Sequence, residues 1–146
     1  MGEWSDSLTG LDSAPFFREH VQGLLARRPE KFQPFLYGVS RISKFDEVIA
    51  THSVSFGDAL IASAAYSVRE IVRGGDRVGR LGRDHFGFAL LASSEEEALA
   101  CQTRLCDSLS SHFFADLEYE ILFAFIWVAE VGKKLSDIDY EIDLLF

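Results

Sequence analysis

The chain has 146 residues, the size of one domain and too short for two comfortable ones. With 48% hydrophobic and 25% charged residues it is not a disordered chain, and thirteen Phe and two Trp supply the apolar area for a packed core. Its 23 acidic and 14 basic side chains give a net charge of −9, which argues against wrapping nucleic acid or an anionic membrane by overall charge and leaves room only for a local basic patch.

No apolar run reaches the length of a membrane span, and no charged segment precedes a shorter one, so neither a transmembrane helix nor a signal peptide is read. Cys101 and Cys106 fall on different faces of a helix. That spacing excludes a disulfide framework and favours a reducing cytosol.

In chain order, Asp6-Ser7-Leu8-Thr9-Gly10-Leu11 reads as a polar, cap-rich turn, and Ser13 with Pro15 opens a helix. Phe17, Val21, Leu24 and Leu25 mark its buried face, and Arg28-Pro29 ends it. Phe35 to Ile42 predicts a buried strand, Phe45 to Ala50 a short helix, and Gly57 the start of a longer one that Gly74-Gly75 stops. Asp76 to Arg80 and His85 to Ala92 predict two strands joined by a tight turn at Gly82-Arg83. Ser94 with Glu97 forms a capping box for a helix running through Leu99, Arg104 and Leu105 to about Leu109, its Glu95-Glu96-Glu97 turn solvated. Tyr119 to Ala129, the most hydrophobic run, predicts a central strand, and Asp137 to Phe146 is read as too short to add much structure. The predicted class is α/β, an α+β sandwich with helices packed on a sheet.

Generic motifs are nearly absent: no Walker loop, no dinucleotide fingerprint and no nucleophile elbow. His20, His52, His85 and His112 lack partners at metal spacing. One constellation remains. Arg73-Gly74-Gly75-Asp76 is followed by Gly82-Arg83-Asp84-His85-Phe86 on the hairpin, with Asp6 to Leu11 upstream and Gly57-Asp58 near a helix start. Together these resemble the GGDEF (diguanylate cyclase) family along nearly the whole chain, 1–146 as a single domain. The resemblance implies a mostly antiparallel central sheet flanked by helices, like the palm of nucleotidyl cyclases. It also implies a piece of a larger bacterial signalling protein, cytoplasmic, without the family's final helix-and-strand segment and its phosphate-contacting Lys.

Active members condense two GTP molecules into cyclic di-GMP, using carboxylates to hold magnesium against the triphosphate. Matched to their motif, the first-strand carboxylate is Arg41 here and the second Asp is Ser43. A guanidinium in that place repels Mg²⁺, so no metal or other cofactor is expected. Arg83 replaces the second signature Gly, His85 replaces an acid, and Ile49 replaces the guanine-reading Asn, although Asp58 keeps the partner acid. Ser53-Val54 stands for the family's Gly-His, and Phe125 and Trp127 fill two small-residue positions. The resemblance therefore implies a catalytically inactive domain.

By contrast, the family's inhibitory Arg-x-x-Asp motif is intact as Arg73 and Asp76, and ungapped spacing puts the supporting Arg at Arg104. An Arg fork takes guanine O6 and N7 or a phosphate, and an Asp carboxylate takes the guanine N1–H and N2–H₂ edge. The expected function is a cyclic di-GMP receptor binding through Arg73, Asp76 and Arg104, with Arg77 and Arg80 adding to a basic patch. Expected partners are protein domains and a ligand-linked second copy, with no nucleic acid and no membrane insertion. The alternatives are a scaffold without ligand and a residual cyclase or GTP-binding domain. The bland readings stand beside these: Arg73 as a helix-terminal charge, Asp76 and Asp84 as turn residues, Arg104 as a solvated side chain, and Arg41 paired directly with Asp84.

Overall fold

The computed structural model describes residues 4–111 and 120–146. His112 and Tyr119 lie outside the described residues. In chain order the elements are β1 (Asp12–Ser13), α1 (Ala14–Leu25), β2 (Phe35–Ile42), α2 (Phe45–Thr51), α3 (Val54–Ile71), β3 (Arg77–Gly82), β4 (His85–Leu91), α4 (Glu95–Ser111), β5 (Ile121–Val128) and α5 (Leu135–Leu145), with a short 3-10 turn at Pro29–Lys31. Among the described residues no helix is long and apolar enough to cross a membrane.

One five-stranded sheet, ordered β1-β3-β4-β2-β5, organises the molecule. All its pairings are antiparallel except the two-residue β1, which runs parallel to β3. Strand alternation sends Leu36, Phe86, Phe88 and Leu90 to a core shared with α2, α3 and α4. Phe35, Tyr37, Val39 and Ala89 go to the other face, against α1 and α5. Both faces are covered, which is why β2 and β4 read as unbroken apolar runs rather than alternating ones.

Two close approaches set the local sequence. Gly79 and Gly87 are opposite one another across β3 and β4, and a Cβ on either would come within 2.5 and 2.7 Å of Phe17. The paired glycines are the slot into which α1 presses its fully buried Phe17. On β2, Gly38 faces Phe125 of β5, and a Cβ there would collide with the Phe125 ring.

Several expectations change. α3 starts at Val54, where the Ser53 hydroxyl accepts from the Phe56 N–H at 3.0 Å, not at Gly57. β5 is an edge strand, not a central one; its continuous apolar character comes from helices on both faces. The acidic C-terminal run is not negligible structure but the eleven-residue helix α5, which buries Leu135, Ile138 and Ile142. At the head of α4, the Ser94 hydroxyl caps Glu97 N–H as predicted, but the Glu97 carboxylate turns to Ser93, not Ser94.

Candidate functional site

Two regions hold the residues singled out by sequence: the β3–β4 hairpin with its neighbours, and the corner where α3 ends beside α4.

At the hairpin, β-pairing puts Arg41 directly opposite His85. Arg41 Nε donates to His85 Nε2 at 2.7 Å, and His85 Nδ1 lies 2.8 Å from Asp84 Oδ1. Because Nε2 is the acceptor, the ring proton sits on Nδ1 and is donated to Asp84. The expected direct Arg41–Asp84 ion pair is thus replaced by a relay through His85. The Arg41 guanidinium also lies 4.8 Å from the centre of the Phe146 ring.

Arg83 and Asp84 form a two-residue turn without positive φ, and a bulge between Arg80 and Gly82 takes up the twist. The backbone therefore does not require glycine at Arg83. The Arg83 side chain swings to Asp46 at 3.2 Å and lies over Phe45. Phe86 is core.

A cleft of about 500 Å³ opens beneath the hairpin, lined among others by Arg41, Asp84, His85, Asp139 and Phe146. On its α5 side, the buried Tyr37 hydroxyl donates to Asp139 at 2.7 Å, and Arg18 reaches the same carboxylate at 3.1 Å. Burial, together with that hydrogen bond, pushes the Tyr37 phenol well above its ordinary value.

At the two positions that the resemblance gives to metal carboxylates, the Arg41 guanidinium stands on the first strand, hydrogen-bonded to His85, and Asp84 Oδ1 lies against His85 Nδ1. Ile49, which the resemblance sets where the family reads the base, packs on Gly57, where a Cβ would sit 2.8 Å from Ile49 Cγ1, and Asp58 is exposed.

The second region is built from a turn. Asp76 N–H donates to Arg73 C=O at 3.0 Å across Gly74-Gly75, and Gly75 has φ +90°, the left-handed position that such a turn reserves for glycine. The Asp76 carboxylate secures it: Oδ2 accepts from Arg73 N–H at 3.0 Å and Oδ1 from Leu91 N–H at 2.8 Å. Asp76 is therefore committed to the turn and to the end of β4 before any ligand arrives.

Arg73 extends toward α4, where its Nη2 lies 3.2 Å from Cys101 Sγ and 3.4 Å from Glu97 Oε1. Arg104 Nη2 lies 3.3 Å from the same sulfur. Cys101 is buried, and both arginines are exposed above it. Ser93, through its side chain and its backbone, and then Arg73, hold the Glu97 carboxyl below its ordinary range.

Arg77 and Arg80 do not join this patch, contrary to expectation. Arg77 lies across the sheet on the α1 face, 3.3 Å from Asp12 and over the Phe16 ring. Arg80 turns to Asp6 and to the Gly82 and Arg83 carbonyls. Burial pushes the Asp6 carboxyl up, but hydrogen bonds from Thr9 and the Arg80 guanidinium outweigh it and hold the group below its ordinary value. The Asp6–Thr9 turn is thus a brace for the hairpin.

A mostly antiparallel five-stranded sheet with helices on both faces and a β3–β4 hairpin is a cyclase-type, palm-like fold. The sequence profile described as "Diguanylate cyclase, GGDEF domain" matches residues 3–118, and the chain belongs to that family. No curated protein matches it. Among solved structures, the diguanylate cyclase SiaD of Pseudomonas aeruginosa, in complex with its activator SiaC, superposes with a TM-score of 0.84 at 20% identity over 97% of this chain. This chain covers 55% of SiaD, little more than half. The GGDEF domain of DgcB from Caulobacter crescentus, in complex with c-di-GMP, gives 0.83 at 16% identity over 97% of this chain and 86% of that one. The FimX GGDEF domain of Pseudomonas aeruginosa gives 0.84 at 18% identity over 97% and 90%.

Proposed function

We propose that this domain binds cyclic di-GMP at the corner formed by Arg73, Asp76 and Arg104 and does not make it. The observation that carries the reading is the convergence of Arg73 and Arg104, from separate elements, on one buried sulfur. Two guanidinium forks that meet at one sulfur suit a ligand with two phosphates and two guanines, since each fork can take a phosphate or the O6/N7 edge bidentately. Asp76 has lone pairs left on both oxygens for a guanine N1–H and N2–H₂ edge. Complexes of related GGDEF domains with c-di-GMP support this choice of ligand.

Loss of synthesis follows from the hairpin. Arg41 and Ser43 supply no carboxylate, Asp84 is held by His85, and Ile49 offers the base no hydrogen bond. The domain acts without a metal or other cofactor, in the cytoplasm, as part of a larger signalling chain whose neighbouring domains or protein partners read the bound dinucleotide, and a ligand-linked second copy fits the same logic.

The test has two arms on the purified domain. Cyclic di-GMP should bind saturably at micromolar concentrations, and incubation with GTP and Mg²⁺ or Mn²⁺ should yield no cyclic di-GMP above a blank. Steady product formation would overturn the inactive reading. Absence of binding at on the order of 100 μM, near −5.5 kcal/mol, would leave a scaffold without ligand.

A further inference from the structure

This inference rests on the reading that cyclic di-GMP binds at the Arg73 corner. We propose that Glu97 is an internal competitor of the ligand there: it engages Arg73 in the free domain and must release it before an anionic dinucleotide can take both arginines. Glu97 Oε1 lies 3.4 Å from Arg73 Nη2. Its other oxygen accepts from Ser93 N–H at 3.0 Å and from the Ser93 hydroxyl. The residue's own N–H is fixed by the Ser94 hydroxyl at 3.1 Å. The carboxylate is therefore tethered at the helix start, aimed at Arg73 without any further ordering. Arg104 makes no ion pair among the described residues, so only one of the two forks is engaged in this way.

Ion pairing and repulsion work in the same direction. A ligand phosphate on Arg73 must displace a carboxylate and then lie beside its negative charge. Both side chains are partly exposed, 51% for Arg73 and 38% for Glu97, so the pair is weak and tunes affinity instead of closing the site. The free-domain competitor makes Glu97 a determinant of the ligand concentration at which the domain responds.

Glu97→Gln removes the charge and keeps an oxygen for Ser93, so the helix start is preserved. Cyclic di-GMP should bind this variant about threefold to fivefold more tightly than wild type at low salt. The difference should narrow in about 0.5 M salt, where screening weakens exposed pairs. Glu96→Gln, which removes the same charge one residue away, should change affinity less than about twofold. Equal or weaker binding by Glu97→Gln would show that Glu97 positions Arg73 or contacts the ligand, and would overturn the proposal while leaving the receptor reading intact. Equal tightening by Glu96→Gln would also overturn it, since net charge alone would then explain the gain. If neither wild type nor Glu97→Gln binds, the receptor reading and this inference fall together.

Discussion

Arg73→Ala and Arg104→Ala should each weaken cyclic di-GMP binding by about 2–4 kcal/mol, roughly 30- to 1,000-fold, in calorimetric titrations against wild type. Both guanidiniums reach the same Cys101 sulfur, so a ligand seated on one is within reach of the other. Their losses should therefore be less than additive in the double variant, as for residues sharing one partner. Neither substitution removes a buried apolar group, so melting temperatures should stay close to wild type. Asp84→Ala, whose partner is His85 at the opposite end of β4 from this corner, should titrate like wild type. Loss of affinity in Asp84→Ala with none in Arg73→Ala would move the site to the hairpin.

Asp76→Ala should behave differently, because its first effect is on the fold. It strips the acceptors from the Arg73 and Leu91 amides, one in the turn and one at the end of β4. Hydrogen bonds to a charged group, and the cost of leaving a half-buried N–H unpaired, put the loss at about 2–4 kcal/mol. For a domain of this size the melting temperature should fall on the order of 10 °C. Asp76→Asn keeps one acceptor oxygen and should lose about half as much. A wild-type melting temperature in Asp76→Ala would show that the carboxylate does not hold the turn. Binding by Asp76 variants is interpretable only at temperatures where thermal melts show them folded.

What the sequence revealed and what it hid have separable physical causes. The Arg73-Gly74-Gly75-Asp76 turn was legible because its information is local: a glycine where φ must be positive, and an acid that returns to the backbone of the residue beginning the motif. The helix α1 and its Phe17 face were legible from spacing alone. The second duty of Asp76, toward Leu91, depends on how far β4 runs beside the turn, which no local pattern encodes. The Arg41–His85 contact needs the β2–β4 register, and that register places opposite each other two residues far apart in sequence. The basic patch failed for a related reason. Alternation along β3 sends Arg77 to the opposite face of the sheet, and Arg80 is claimed by an acid from the opening turn. The helix α5 was missed because Asp137, Asp139, Glu141 and Asp143 make the segment read as a solvated tail, while only Leu135, Ile138 and Ile142 are buried. Cys101 gave no sign of its place either, since nothing in its neighbourhood predicts that two arginines meet over it.

The most direct test of the account is a crystal structure of the domain grown with cyclic di-GMP. Dinucleotide is expected on Arg73 and Arg104, with a guanine edge at Asp76 and the Glu97 carboxylate withdrawn from Arg73. A dinucleotide lodged instead in the cleft beneath the Arg83–Asp84 turn, against Arg41, with the Arg73 corner unchanged, would contradict it.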